Sequence, residues 1–246
     1  MTSTQPAPLP RPVPLAGATL FVAGADGGLG REFVAQALER GATRVYGATL
    51  EPRAWDDPRI VPVVVDVRDE ASVIAAAATA GDATIVVNSA GVAVSEALLT
   101  GDLPAMRNVV ETNLWGSLHI ARAFAPALIA RGRGTVLTVH SAAAWEHRMR
   151  SYSVSKAALW AADNAVRLEL LPHGVRVVGL FLTYTNTPMI TTLLPGMPGL
   201  NDPADVVRTA YDQYEDDALE ILGDDLTKRI RSGLSSPLAH LYPELT

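Results

Sequence analysis

Tyr152 and Lys156 stand four residues apart in SYSVSKAAL, positions 151 to 159. On a helix that spacing turns the chain by about 400°, so both side chains project from one face about 6 Å apart along the axis. They can act on one ligand. A phenol with an ordinary pKa of about 10 is a poor proton shuttle at neutral pH; a neighbouring ammonium favours the phenolate and brings the group toward the working range. Lysine suits that task as a compact charge with rotatable donors, able to reach a hydroxyl of the same ligand. The chain has six tyrosines and only two lysines, so chance yields such a pair about 0.05 times and an incidental surface pair is a poor account of it. Upstream, VLTVHS reads as a strand ending at Ser141. Alone, a serine there is a cap or turn residue; beside the phenol, its hydroxyl can donate to a carbonyl oxygen while tyrosine gives up its proton.

A second group of residues suits phosphate. ATLFVA (18–23) reads as a strand and runs into AGADGGLGREFVAQAL, which places Gly24, Gly28 and Gly30 where the apolar period changes from strand to helix. Glycine there permits positive φ and close backbone approach, and a helix start offers N–H groups and the positive end of its dipole to a pyrophosphate. By itself such a turn serves equally to pack a helix on a strand.

The elements that position these groups alternate along the chain. Short β-branched runs at 18–23, 43–48, 60–66, 84–88, 134–140, 174–182 and 218–222 read as strands, most of them apolar on both faces. Helices are expected over 28–40, 69–80, 103–131, 151–171, 203–216 and 224–233, with Asp202-Pro203 a clear start signal. This is the pattern of an α/β protein: a Rossmann-type doubly wound parallel sheet of about seven strands, with helices on both faces, in a single domain. Prolines at 6, 8, 10, 12 and 14 predict an extended, solvated arm over residues 1–15, ahead of a domain over 16–246. The arm does not read as a secretory signal, and no apolar stretch approaches a membrane span. With 246 residues, 48% hydrophobic content and no cysteine, the chain can bury a large core and has no disulfide or thiolate chemistry; a cytoplasmic location is expected. A net charge of -6 gives no reason to expect nucleic acid or anionic lipid, so a small neutral or mildly polar molecule is the expected partner.

The glycine spacing G-x-x-x-G-x-G resembles the signature of short-chain dehydrogenases/reductases. Asn88-Ser89-Ala90-Gly91, after the fourth strand, is similar to that family's N-N-A-G, with Ser89 replacing the second asparagine, and Asp66-Val67 resembles its adenine-contacting pair. The resemblance covers roughly residues 18 to 223. It implies a catalytic tetrad of Asn113, Ser141, Tyr152 and Lys156, with Asn113 holding a water in the proton relay. It also implies hydride transfer between a nicotinamide and a ketone or secondary alcohol. The residues it places around the cofactor are Gly24, Asp26, Gly28, Leu29, Gly30, Thr49, Leu50, Asp66, Val67, Asn88, Ala90, Gly91, Tyr152, Lys156 and Thr187. A homodimer or homotetramer built through the helices of Asn113 and Tyr152 is implied as well.

Two stretches depart from the family pattern. Leu182-Thr183 stands where relatives commonly carry Pro-Gly, and the interval from Ser141 to Tyr152 is about two residues shorter than usual, so AAWEHRMRS is expected to reshape the pocket rim. Trp145, His147, Tyr184, Met189 and Leu193 are expected in the substrate pocket, with Met149, Ile190 and Leu194 near it; most are apolar and suggest a hydrophobic or cyclic substrate. The cofactor is NAD(H) or NADP(H). The reading leans to NAD(H), because Asp26 and Gly27 replace the basic residue often used for a 2′-phosphate, while Arg44 or Arg53 would argue the other way. The five histidines show no metal-ligand spacing, and no metal is expected. Two rival readings are a dinucleotide-sensing regulatory protein without turnover and a lyase or dehalogenase on the same scaffold. The former has no use for a tuned phenol, and the latter typically loses the glycine loop.

Overall fold

Strand residues alternate between two helical layers, and both layers are apolar. In β1 (Thr19–Ala23), Leu20 and Val22 face a core shared with Phe33, Val34, Val207 and Tyr211, while Phe21 and Ala23 face a second core with Ile120, Phe124 and Leu128. The computed structural model, which describes residues 9–245, resolves this pattern into seven parallel strands. The others are β2 (Arg44–Thr49), β3 (Ile60–Val64), β4 (Ile85–Asn88), β5 (Gly134–Val139), β6 (Val175–Phe181) and β7 (Glu220–Leu222). Their order is β3-β2-β1-β4-β5-β6-β7. Pro62, which cannot donate to a ladder, sits in the edge strand β3, where its missing N–H is tolerated.

Nine helices are seen among the described residues: α1 (Gly28–Glu39), α2 (Glu70–Thr79), α3 (Leu103–Val110), α4 (Gly116–Ala130), α5 (Ser151–Leu170), α6 (Pro188–Leu193), α7 (Pro203–Glu215), α8 (Asp225–Gly233) and α9 (Leu238–Leu241). The Asp202 carboxylate accepts from the Ala204 amide with Pro203 in the first turn, as the start signal predicts. The expected helix over 103–131 is interrupted: a wide π-helical turn, Glu111–Trp115, separates α3 from α4 and contains Asn113. The short helices α6 and α9 carry no strong period and are not anticipated from sequence.

Residues 1–8 of the expected arm lie outside the described residues. The remainder forms no helix or strand, and it is not solvated throughout. Val13 and Leu15 are buried in the core, the Tyr214 hydroxyl donates to the Val13 carbonyl at 2.8 Å, and the buried Arg176 guanidinium donates to the Pro10 carbonyl. Among the described residues, no helix is long and apolar enough to cross a membrane.

The direction of strand succession reverses between β1 and β4. In an open parallel sheet the loops leaving the carboxyl ends diverge at such a point and leave a crevice. Ala23 lies in register with Ala48 on one side and Asn88 on the other, and Asn88 with Thr138, so the loops after β1, β2, β4 and β5 all emerge at one edge.

Candidate active site

A cavity of about 770 Å³ runs along that edge. At one end the chain leaves β1 through Gly24, whose φ of +70° belongs to the left-handed region. A Cβ there would sit 2.9 Å from the Ala90 amide nitrogen, so the turns after β1 and β4 approach each other only because Gly24 lacks a side chain. A Cβ on Gly30 would run into the Gly24 carbonyl oxygen; Gly30 is buried beneath the turn rather than on the cavity wall. Asp26, Gly28 and Leu29 line the cavity, and no side chain caps the first turn of α1. A backbone cradle with an uncapped helix start suits a pyrophosphate.

Thr49, Leu50, Asp66 and Val67 line the cavity as well. The Asp66 carboxylate is already engaged: Arg68 donates to it from its backbone amide and guanidinium, with Nη2 2.7 Å from Oδ2, and holds it below the usual carboxylate range. Arg44 pairs with Asp82 and Arg53 stacks on Trp55; neither lines the cavity.

At the other end Ser141, Tyr152 and Lys156 share one wall. Ser141 lies two residues beyond the end of β5, where it caps a short 3-10 turn by accepting from the Ala143 amide. Tyr152 and Lys156 lie one turn apart on α5, with Nζ 5.8 Å from the phenol ring centroid. The short interval between Ser141 and Tyr152 closes through Arg150, held at φ +50°, a conformation rare for a residue with a side chain. Lys156 is buried and Nζ donates to the Val139 carbonyl at 2.8 Å. Burial lowers its pKa to about 8, against the pull of Asp163. Burial pushes the Tyr152 phenol up to about 12, with the Ser141 hydroxyl opposing. The shift of the phenol is thus upward rather than toward neutrality: desolvation sets its direction, and the neighbouring ammonium is itself desolvated and donates to a carbonyl.

The two asparagines sit behind the cavity wall. Asn113 is fully buried; its Oδ1 accepts from the Val92 amide, and its Nδ2 donates to the Val92 carbonyl and Ser155 Oγ, each at 2.9 Å. Asn88 donates to Ser117 Oγ at 2.7 Å and accepts from the Ala90 amide, and Ser117 in turn donates to the Asn113 carbonyl. Together they fix residues 89–92, all of which line the cavity. Thr187 also lines it and comes down on Gly28 from the loop after β6.

The expected substrate residues divide. Tyr184 and Met189 line the cavity, as do Met149 and Ile190. Trp145, His147 and Leu193 do not. Trp145 is a core residue: buried, stacked on Phe181 at 4.2 Å, edge-on to Trp160 and covered by Arg231. His147 is exposed and bonded to the Tyr242 hydroxyl through both its amide and Nδ1. Leu193 and Leu194 end the short helix α6 away from the cavity.

Sequence reasoning missed the C-terminal wall. Leu226, Arg229 and Ile230 of α8, with His240 and Leu241 of α9, close the substrate end. The Asp224 carboxylate ties this segment to the loop after β6 by accepting from the Thr183 amide, and Arg148–Glu244 joins it to the loop before α5. No local pattern announces a segment whose role depends on folding back across the sheet edge. Also missed is His140, which lines the cavity beside Ser141 and pairs with buried Asp163; its position next to the strand-end serine was the available signal.

A family model described as short chain dehydrogenase matches residues 18–197. An uncharacterized oxidoreductase of Staphylococcus saprophyticus is 30% identical over 132 residues, 53% of this chain and 56% of the relative, so the chain spans little more than half the length of that protein. L-xylulose reductase of Homo sapiens is 33% identical over 184 residues, 71% of this chain and 75% of that one. Among solved structures, a short chain dehydrogenase from Burkholderia cenocepacia in complex with NADP superposes with a TM-score of 0.87 at 32% identity, covering 95% of this chain and 99% of the other.

Proposed function

The chain belongs to the short chain dehydrogenase family, and from that premise we propose that it is a nicotinamide-dependent oxidoreductase interconverting a ketone and a secondary alcohol, with Tyr152 as acid and base. The observation that carries this reading is one cavity with a backbone phosphate cradle at one end and Ser141, Tyr152 and Lys156 on one wall at the other. A sensor would need only the first.

Gly24, Asp26, Gly28 and Leu29 would hold the pyrophosphate over α1, with Gly30 shaping the turn. Thr49, Leu50, Asp66 and Val67 would hold the adenosine. Asn88 and Asn113 would keep Ala90 and Gly91 in place along the middle, and Lys156, Tyr152 and Thr187 would hold the nicotinamide end. When bound, the dinucleotide supplies or accepts hydride. In reduction, Ser141 orients the carbonyl by donating to its oxygen, and Tyr152 delivers the proton to that oxygen. With its pKa near 12, the phenol keeps its proton throughout the physiological range and is ready as an acid. Lys156 must carry its charge to hold the ribose and stabilise the departing proton's phenolate. Reduction therefore weakens as pH rises through about 8, where that ammonium is lost.

NAD(H) is the proposed cofactor. Arg44 and Arg53 are directed elsewhere, and Arg68, which does line the cavity, is paired with Asp66, so among the described residues no unpaired cation lines the adenosine end to meet a 2′-phosphate. The relative from Burkholderia was solved with NADP, and the assay must therefore compare both. Met149, Met189, Ile190, Ile230 and Leu241 favour a hydrophobic or cyclic substrate. A homodimer or homotetramer is part of the same proposal by family likeness.

The test is a panel of cyclic and aryl ketones with NADH or NADPH, followed at 340 nm with wild type and Tyr152→Phe. Wild type is expected to turn over apolar ketones with NADH preferred, and the variant to lose about 100-fold or more. Equal turnover by both proteins would refute the role of Tyr152.

A further inference from the structure

The face of α5 that presents Tyr152 and Lys156 continues inward to Asp163, seven residues or about 10 Å beyond Lys156 along the helix axis. Asp163 is 5% exposed, and its Oδ2 lies 2.9 Å from Nε2 of His140, itself 2% exposed. A carboxylate only accepts, so Nε2 carries the hydrogen and Nδ1 is left as an acceptor, buried and without a partner. The imidazole is held in direction as well: it stacks on Phe181 with centroids 4.6 Å apart and planes 8° from parallel. Burial lowers the His140 pKa below its ordinary value despite the carboxylate, so the ring is neutral and does not cancel the charge on Asp163.

Among the described residues, Lys156 and Arg167 are the cations facing Asp163. Arg167, one turn further along α5, donates from Nε to the Val177 carbonyl and also feels Glu220 from β7. Lys156 Nζ donates to the carbonyl of Val139, the residue before His140, which sets the ammonium beside the His140–Asp163 pair without a direct ion pair to it among the described residues. The Asp163 charge pulls the Lys156 pKa up against burial. From β5 the facing titratable group is His140, and from α5 itself Tyr152. A buried ammonium with one neutral acceptor and no counter-charge would shed its proton.

We propose that Asp163, clamped by His140, is the buried counter-charge that keeps Lys156 in its ammonium form, which makes Asp163 and His140 positioning residues of this site. Its importance for turnover rests on the function proposed above, but the charge arrangement can be measured without turnover. The chain has only two lysines, Lys156 and Lys228, so lysine labelled with ¹³C at Cε gives two resonances, which Lys228→Arg assigns.

Wild-type Lys156 is expected to titrate near pH 8. In Asp163→Asn and Asp163→Ser its midpoint is expected to fall by about one pH unit. In His140→Phe it falls by less, because the carboxylate remains but is no longer held; Lys228 is unmoved throughout. In the ketone assay the alkaline limb of the reduction profile should move to lower pH by the same amount in the Asp163 variants. An unchanged Lys156 midpoint in either neutral variant overturns the proposal. If neither variant folds, wild type decides: a ¹⁵Nζ shift of an ammonium at pH 7 supports the proposal, and that of a neutral amine overturns it. A wild type without turnover but with the expected titration would sink the enzymatic reading alone. An active wild type with an unshifted titration in the variants would sink only the counter-charge.

Discussion

At the glycine end of the crevice the contacts are made by backbone and small residues; at the substrate end they are made by large side chains drawn from several distant segments. Gly24 meets the Ala90 amide and Gly30 lies against the Gly24 carbonyl, contacts that only one residue type permits. The opposite wall combines Met149 from the loop before α5, Met189 from α6, Ile230 from α8 and Leu241 from α9. Requirements of the first kind constrain residue type at fixed spacing; those of the second can be met by many apolar residues, so long as the segments arrive in the right place.

That difference predicts where a substitution registers. Trp145 stands in the sequence where pocket residues were expected but is packed between Phe181 and Trp160, so Trp145→Ala should cost about 3–5 kcal/mol of stability in denaturant unfolding. Met189→Ala, at a true wall position, should stay within about 1 kcal/mol and instead change KM for apolar ketones. If Trp145→Ala alters KM alone, the assignment of this residue to the core is wrong. Gly30→Ala should cost about 1–3 kcal/mol, because the added methyl must displace the Gly24 carbonyl, and should weaken cofactor binding about tenfold or more in a fluorescence titration. A variant with unaltered affinity would separate the turn from the cofactor. The smallest effect is expected at the rim: Tyr242→Phe removes the hydroxyl that meets His147, at a cost of about 1 kcal/mol or less, and should shift KM by a few-fold without touching cofactor affinity.

The same contrast explains what the sequence disclosed. Seven strands were legible because both faces of a parallel sheet must be apolar, and α7 because Asp202-Pro203 caps it. Tyr152 and Lys156 were legible as a pair because helix geometry fixes their separation. Their ionisation was not, since it depends on burial that no four-residue spacing contains. The sequence period runs through Asn113 as one helix over 103–131; the structure gives it a π-helical turn and bonds to Val92, which such a period cannot reveal. The proline-rich stretch ahead of β1 shows the converse error, for proline spacing bears on local conformation but says nothing of the packing of Val13 and Leu15.

The central claim is that one crevice holds a dinucleotide at its glycine end and moves a proton at its tyrosine end, by separable means. Parallel titration of NADH fluorescence with wild type and Tyr152→Phe tests it most directly. The account predicts saturable binding to both proteins with affinities within about threefold, while the variant has lost turnover. Absence of binding to wild type by NADH and NADPH alike would contradict it.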